Sequence, residues 1–219
     1  MSNKSNTISF AITVCNEIKE IKELIDFLKT HIRDEDEIVI QYDSQSATKE
    51  VIEYVNYIRV TNNLGGSKFN LNVISFPLNN HFGNFKNNLK DNCTKDYIFQ
   101  IDADEIPHHQ FMKDLPSVLD SNDEIDVYLV PRVNTVEGLT KEHIEKWRWN
   151  VNSKNWVNWP DYQWRIWKNK PEIKWINKVH ERLDGFNLYA DLPPLEEWSL
   201  YHHKEIERQE KQNEYYAQL

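Results

Sequence analysis

Apolar and polar positions follow two rhythms through the first half of the chain. "ISFAITVC" (Ile8–Cys15) is a nearly unbroken apolar run rich in β-branched and aromatic residues, the pattern of a strand buried on both faces. Beyond it Ile18, Ile21, Leu24, Ile25 and Leu28 recur at helical spacing with charges between them, which predicts an amphipathic helix. The cycle then repeats. "EIVIQYD" (Glu37–Asp43) predicts a strand, and "SATKEVIEYVNYIRV" (Ser46–Val60) a helix with a Ser/Thr-rich start. "LNVISFP" (Leu71–Pro77) predicts a third strand, "FGNFKNNLKDNC" (Phe82–Cys93) a helix, and "DYIFQID" (Asp96–Asp102) a fourth strand. Strand–helix alternation of this kind implies right-handed crossovers and an α/β fold, a mainly parallel central sheet with helices on both faces. Such sheets bind ligands beyond the carboxyl ends of their strands. The polar clusters "CNE", "YDSQS" and "DADE" all fall there.

The second half differs. All eight tryptophans lie between Trp147 and Trp198, and "QWRIWK" alternates as a half-buried strand does. The last stretch, "HKEIERQEKQNEYYAQL", reads as a polar helix or a fraying tail. No proline- or glycine-rich linker divides the chain, so residues 1–219 are expected to form a single domain.

Composition narrows the functional classes. The 219 residues suffice for one well-filled core. With 26 Lys and Arg against 35 Asp and Glu, the net charge is -9, which argues against a broad grip on nucleic acid or anionic lipid. A small anionic ligand whose charge is met by a metal ion remains compatible. The two cysteines, Cys15 and Cys93, form no metal-type pair and call for no oxidising compartment. No signal-peptide pattern and no transmembrane-length apolar run is seen, so a cytoplasmic protein is expected.

The most pointed chemistry is "DADE". On a strand, side chains two apart face the same way, so Asp102 and Asp104 would lie roughly 6.6 Å apart at their Cα atoms and meet one ion. Burying both without a cation costs several kcal/mol, on the order of 3–5, or forces one to protonate. Oxygen ligands of this kind suit Mg²⁺ or Mn²⁺. The alternative is a helix start, with Asp104 as N-cap, Glu105 in the first turn and Pro107 early in the helix.

"TVCNE", "QYDSQSATKE", "NNHFGNFKNN" and "DYIFQIDADE", in that order, resemble the family 2 glycosyltransferases of the GT-A fold. "WINKVHERLDG" and "LEEWSLYHHKE" resemble the "VHE" and "L-x-H" segments of a branch that includes lipopolysaccharide-core and viral sugar transferases, and the similarity spans about residues 8–205. The resemblance implies a metal-dependent enzyme moving a sugar from a nucleotide-diphosphate donor of UDP or GDP type to a hydroxyl of a glycan or other acceptor, with inversion, in glycan or polysaccharide synthesis. It implies that about 1–115 hold the donor and metal and about 116–219 the acceptor. Thr13, Asn16, Glu17 and Asp43 would contact the nucleoside. Lys86-Asn87 replace the family's Arg-Asn pair, keeping the charge but losing the planar fork. Asp102 and Asp104 match the D-x-D, and His202 the histidine that completes a Mn²⁺ or Mg²⁺ shell. Glu181 is the first choice of general base and Asp161 the second, while Arg165 and His180 orient substrate or loop.

Flat apolar rings stack on pyranose faces, so Trp156, Trp159 and Trp175 are candidates for an acceptor groove, although core packing is the commoner use of tryptophan. Two other classes compete. A sugar-phosphate nucleotidyltransferase also joins strand-end acids to Mg²⁺, but this chain has only 5 glycines and no glycine-rich phosphate loop near the first strand. A non-catalytic carbohydrate-binding module on the same fold is the other.

Overall fold

The four strands expected in the first half begin and end within one residue of their predicted bounds. In the computed structural model, which describes residues 5–64 and 69–216, the order is β1 (Ile8–Val14), α1 (Ile18–His31), β2 (Glu37–Asp43), α2 (Lys49–Leu64), β3 (Asn70–Phe76), α3 (Phe82–Asp91) and β4 (Tyr97–Asp102). Then follow β5 (Glu105–Pro107), α4 (His109–Ser121), β6 (Val127–Glu137), α5 (Lys141–Trp147), β7 (Val157–Lys168), β8 (Lys174–Ile176), β9 (Arg182–Asp184), β10 (Tyr189–Asp191), β11 (Leu200–Glu205) and α6 (Ile206–Tyr216). The polar C-terminal run is thus helical through Tyr216; its last three residues lie outside the described ones.

One sheet runs through both halves in the order β3-β2-β1-β4-β7-β6-β11-β5, with β10 also on β6. Pairing is parallel from β3 to β4 and again between β6 and β11, while β7 runs antiparallel to both its neighbours. This is the mainly parallel α/β sheet that the sequence predicts. Alternation sorts the strand residues onto two cores. Phe10, Ile12, Ile40, Phe99 and Ile101 face α1, α2 and α4 through Leu24, Leu28, Val55, Phe111 and Leu115. Ala11, Val39, Ile98, Val127 and Trp167 face α3 and the β8–β9 hairpin through Leu89, Trp175 and Leu183. Each fully buried side chain of this size contributes about 2–3 kcal/mol. No helix among the described residues is long and apolar enough to cross a membrane.

The helix-start alternative for "DADEIP" does not occur. β4 stops at Asp102, Ala103 and Asp104 form a turn, and Glu105–Pro107 pair with β11 as a strand. Helix α4 starts later, where the His108 side chain accepts from the Gln110 amide at 3.1 Å.

Candidate active site

Because β1, β2, β4, β6 and β11 point the same way, their carboxyl ends share one rim, and antiparallel β7 brings its first residues to that rim. A cavity of about 1000 Å³ opens there. Thr13, Asn16 and Asp43 line it on the β1–β2 side, Asp102 and Asp104 at the end of β4, and Trp149 and Asn158 beyond β6 and β7.

The two aspartates do not converge as a two-residue strand repeat would have them. Asp102 ends the strand, and Asp104 sits in the following turn. Asp102 Oδ1 accepts from the Thr13 hydroxyl at 3.1 Å, and its Oδ2 from Arg165 Nη2 at 2.6 Å. Asp104 Oδ2 instead faces His202 Nε2 at 3.4 Å and Arg208 Nη2 at 3.2 Å. Burial opposes ionisation of both. Arg165, with Lys86 and Arg132, overcomes it at Asp102 and drives the carboxyl far below its usual range. His202 and Arg208 lower Asp104 in the same sense. The charge of the pair, for which the sequence suggests a divalent ion, is also met by the chain itself, through Arg165 at Asp102 and Arg208 at Asp104.

His202 is oriented by a relay. Asn134 Nδ2 donates to Asp161 Oδ2 at 2.8 Å, which turns its Oδ1 toward His202 Nδ1 at 2.7 Å and places the proton on Nδ1. Nε2 is left facing the Asp104 carboxylate. Nε2 either donates a proton to Asp104 or, without one, offers a nitrogen lone pair beside that carboxylate, and in the second form the donor set Asp104 and His202 fits a divalent ion. Asp102 does not join it: among the described residues no three His, Cys, Asp or Glu side chains are gathered as a metal cluster.

Glu105, which the helix-start alternative puts in a first helical turn, is the hub of the site. Fully buried, it accepts from Arg132 Nη1 at 2.9 Å and Arg165 Nη2 at 2.5 Å, and from the Asp102 amide at 3.2 Å. Removing it would leave the buried Arg165 with Asp102 and Arg132 with Asp161 as their remaining carboxylate partners. Arg132 carries the network on to Asp161, donating from Nε at 3.0 Å and Nη2 at 2.7 Å. Arg165, expected to orient substrate or loop, lines the cavity as an internal counter-ion to Asp102 and Glu105, 3% exposed.

On the β1–β2 side Glu17 Oε2 accepts from the Cys15 and Asn16 amides at 2.8 and 3.0 Å, and its Oε1 is held by Arg208 at 3.1 Å. Asn16 is exposed at the mouth. Asp43 Oδ1 makes an Asx-type turn to the Gln45 amide and also accepts from the Leu78 amide, both at 3.1 Å. Its Oδ2 has no partner among the described residues. Burial, with Glu17 and Asp43 alongside, pushes the Cys15 thiol up to about 11, so it is no nucleophile.

Lys86 and Asn87 separate. Lys86 Nζ is hydrogen-bonded to Glu181 Oε1 and stands 4.4 Å from the centre of the Trp175 ring. Asn87 does not line the cavity; its amide pairs with both backbone groups of Trp175 at 2.8 Å each and so anchors the β8–β9 hairpin. Of the two candidate bases, Asp161 is saturated, accepting from Arg132, Asn134 and, at 2.8 Å, Gln163. Burial raises its pKa, but Arg132 and those amides more than reverse that. Glu181 keeps Oε2 without a partner among the described residues and lines the cavity. His180, in left-handed backbone at φ 52°, is exposed beside it.

The tryptophan expectation is corrected. Trp156 and Trp175 are buried, Trp156 meets Trp159 edge-on at 4.8 Å, and none of these three lines the cavity. Trp149 does. Glu105, Arg132, Asn134, Arg208 and Trp149 were missed from the sequence. Only Arg132 carries a readable signal, a lone cation inside the apolar strand "VYLVPRVNTVE", which needs a buried partner.

The family model described as Glycosyl transferase family 2 matches residues 9–190. Among solved structures, S. aureus TarS 1-349 in complex with UDP-GlcNAc superposes with a TM-score of 0.63 at 18% identity, over 90% of this chain and 58% of that one. TarS 1-349 in complex with UDP gives 0.61 at 17% identity, over 90% and 60%. Mannosyltransferase PcManGT from Pyrobaculum calidifontis, in complex with GDP-Man and Mn²⁺, gives 0.50 at 15%, over 60% and 36%. At these identities the likeness is one of fold, the GT-A fold. The chain spans about three fifths of the length of TarS 1-349. No curated protein sequence matches.

Proposed function

The chain belongs to glycosyl transferase family 2, and on that premise we propose that it transfers a sugar from a nucleotide-diphosphate donor to an acceptor hydroxyl, with inversion. The nucleoside lies over Thr13, Asn16, Glu17 and Asp43, whose free Oδ2 accepts from donor groups of the base or ribose. Asp104 and His202 would hold Mn²⁺ or Mg²⁺, which would supply positive charge for a departing diphosphate. Asp102, fixed by Thr13 and Arg165, presents a rigid carboxylate to the ribose. The acceptor oxygen bonds to the anomeric carbon on the face opposite the diphosphate as the bond to the leaving oxygen breaks. Glu181 Oε2 takes the acceptor's proton, and Lys86 balances the charge of that carboxylate before transfer.

The observation that carries this reading is a partly unsatisfied carboxylate, Glu181, in one cavity with the oriented Asp104–His202 pair. Incubation with a panel of UDP- and GDP-sugars tests it. Metal-dependent release of UDP or GDP from one of them supports the transferase. Release of pyrophosphate from a nucleoside triphosphate and sugar phosphate would assign nucleotidyl transfer instead.

A further inference from the structure

The cavity extends past the catalytic groups to a surface that the donor does not need. Nucleoside-side residues end β1 and β2, and the Asp104 turn ends β4. Trp149 and Asn158 stand where β6 and β7 reach the rim, three to four strand spacings from β2, roughly 14–19 Å. Along the sheet they lie between β4 and β11, farther from β1 and β2 than the end of β4 is.

Trp149 alone of the eight tryptophans lines the cavity. Its ring is backed at 4.6 Å by Trp147, which stacks in turn on His143 at 5.0 Å. The loop is fixed from both ends. Thr140 and His143 form a capping box at the start of α5, and Arg148 closes the helix in left-handed backbone at φ 55°. The Asn158 amide then donates to the Asn150 carbonyl at 2.7 Å, while its side-chain Oδ1 accepts from the Asn150 amide at 2.9 Å, again with a left-handed residue, φ 53°. Two non-glycine residues in that conformation bracket the tryptophan, the kind of local strain that surrounding structure sustains at ligand sites. Neither Trp149 Nε1 nor Asn158 Nδ2 has a partner among the described residues. The surface thus offers one aromatic face, braced by Trp147 at a tilt of 48°, with N–H donors that have no partner among the described residues and with the apolar Val136 and Val157 lining the same cavity.

We propose that Trp149 is the platform of an acceptor subsite for a pyranose ring, with Asn158 Nδ2 donating to a ring hydroxyl. A pyranose offers an apolar C–H face to the indole and equatorial hydroxyl acceptors at its edge. An acyclic polyol lacks the flat face. This assignment rests on the transferase reading, which gives the β1–β2 side of the cavity to the nucleotide and leaves the β6–β7 side for the acceptor.

Saturation-transfer NMR on the full chain with UDP or GDP and Mn²⁺-substituting Mg²⁺ tests it, using methyl β-D-glucopyranoside, methyl β-D-galactopyranoside and methyl N-acetyl-β-D-glucosaminide, with sorbitol as control. At least one glycoside should bind with its ring C–H protons saturated and sorbitol should not. Trp149→Ala should weaken that glycoside roughly tenfold, Trp149→Phe by less, and neither should change nucleotide affinity. Trp149→Phe keeps a ring in the stack, so it reports even if the alanine variant is destabilised. Binding of no glycoside in the presence of bound nucleotide, equal binding of sorbitol, or unchanged glycoside binding in both variants overturns the subsite and leaves the transferase standing. Failure of both UDP and GDP to bind removes the transferase reading and the subsite with it.

Discussion

Arg208 Nη2 lies 3.2 Å from Asp104 Oδ2, the same oxygen that His202 Nε2 faces at 3.4 Å. A helix at the C-terminal end of the chain thus delivers a guanidinium to the one carboxylate that, with His202, fits a divalent ion. Arg208 also holds Glu17 at 3.1 Å and Glu20 at 3.0 Å, so it spans the mouth from the nucleoside loop to the metal pair. A metal ion bound by Asp104 and His202 would compete with this arginine for one oxygen.

Arg208→Gln should therefore tighten Mn²⁺ binding in the absence of nucleotide. The arginine is 35% exposed, so its pairing with Asp104 is worth about 0.2–1 kcal/mol, a gain of roughly 1.4- to fivefold. Calorimetric titration measures it. Unchanged or weaker Mn²⁺ affinity would show that Arg208 does not hold the site against the ion.

The two carboxylates proposed as bases should part under substitution. Glu181→Gln should slow transfer by roughly a hundredfold or more with nucleotide affinity near normal. Asp161→Asn should chiefly lower the melting temperature, because it weakens the partner of Arg132 and disturbs the Asn134 relay to His202. Transfer at the normal rate by Glu181→Gln would move the base elsewhere.

Gly83 lets the Glu181 loop approach α3. A Cβ at that position would stand 2.5 Å from the Asn177 carbonyl oxygen, one residue from where Phe82 donates to Lys178 at 3.0 Å. Gly83→Ala should push residues 177–181 outward, at about 1–3 kcal/mol in stability, and cut turnover more than nucleotide affinity. Parallel melting and kinetic measurements check this, and a fully active variant would show that the close approach is dispensable.

Acid should act partly through Asp126, away from the cavity. Lys170 hydrogen-bonded at 2.8 Å, helped against burial by the Asn187 amide at 3.0 Å, holds its pKa down to about 2. The folded pKa lies below the unfolded one, roughly 3.9, so this stabilisation is present above that value and is lost as pH falls through the folded pKa. Asp126→Asn should melt below wild type at neutral pH, and the gap should close as pH approaches 2. A gap that is constant with pH would assign the effect to packing.

Strands β1–β4 were legible because each is an apolar run between polar breaks, and their order alone put "DADE" at a rim. What Asp104 does was not legible. Its turn depends on β5 pairing with β11, where Glu105 lies opposite His202, almost a hundred residues along the chain. Asn87 and Lys86 adjoin in sequence, yet one serves the hairpin and the other Glu181, a division set by helical rotation and by a partner 95 residues from Lys86. Arg208 sits in a helix polar all round, where no periodicity marks one cation from the next. Trp149 stood among eight tryptophans that composition cannot rank. Long-range pairing, not local pattern, decides each of these.

The central claim is that the rim at Asp104 and His202 receives a nucleoside diphosphate through a divalent ion. Calorimetric titration of UDP and of GDP into wild type and Asp104→Asn, with Mn²⁺ and with chelator, tests it directly. The account predicts saturable binding of at least one nucleotide to wild type that chelator abolishes, and its loss in Asp104→Asn with the melting temperature little changed. Equal nucleotide affinity in both proteins, with or without metal, would contradict it.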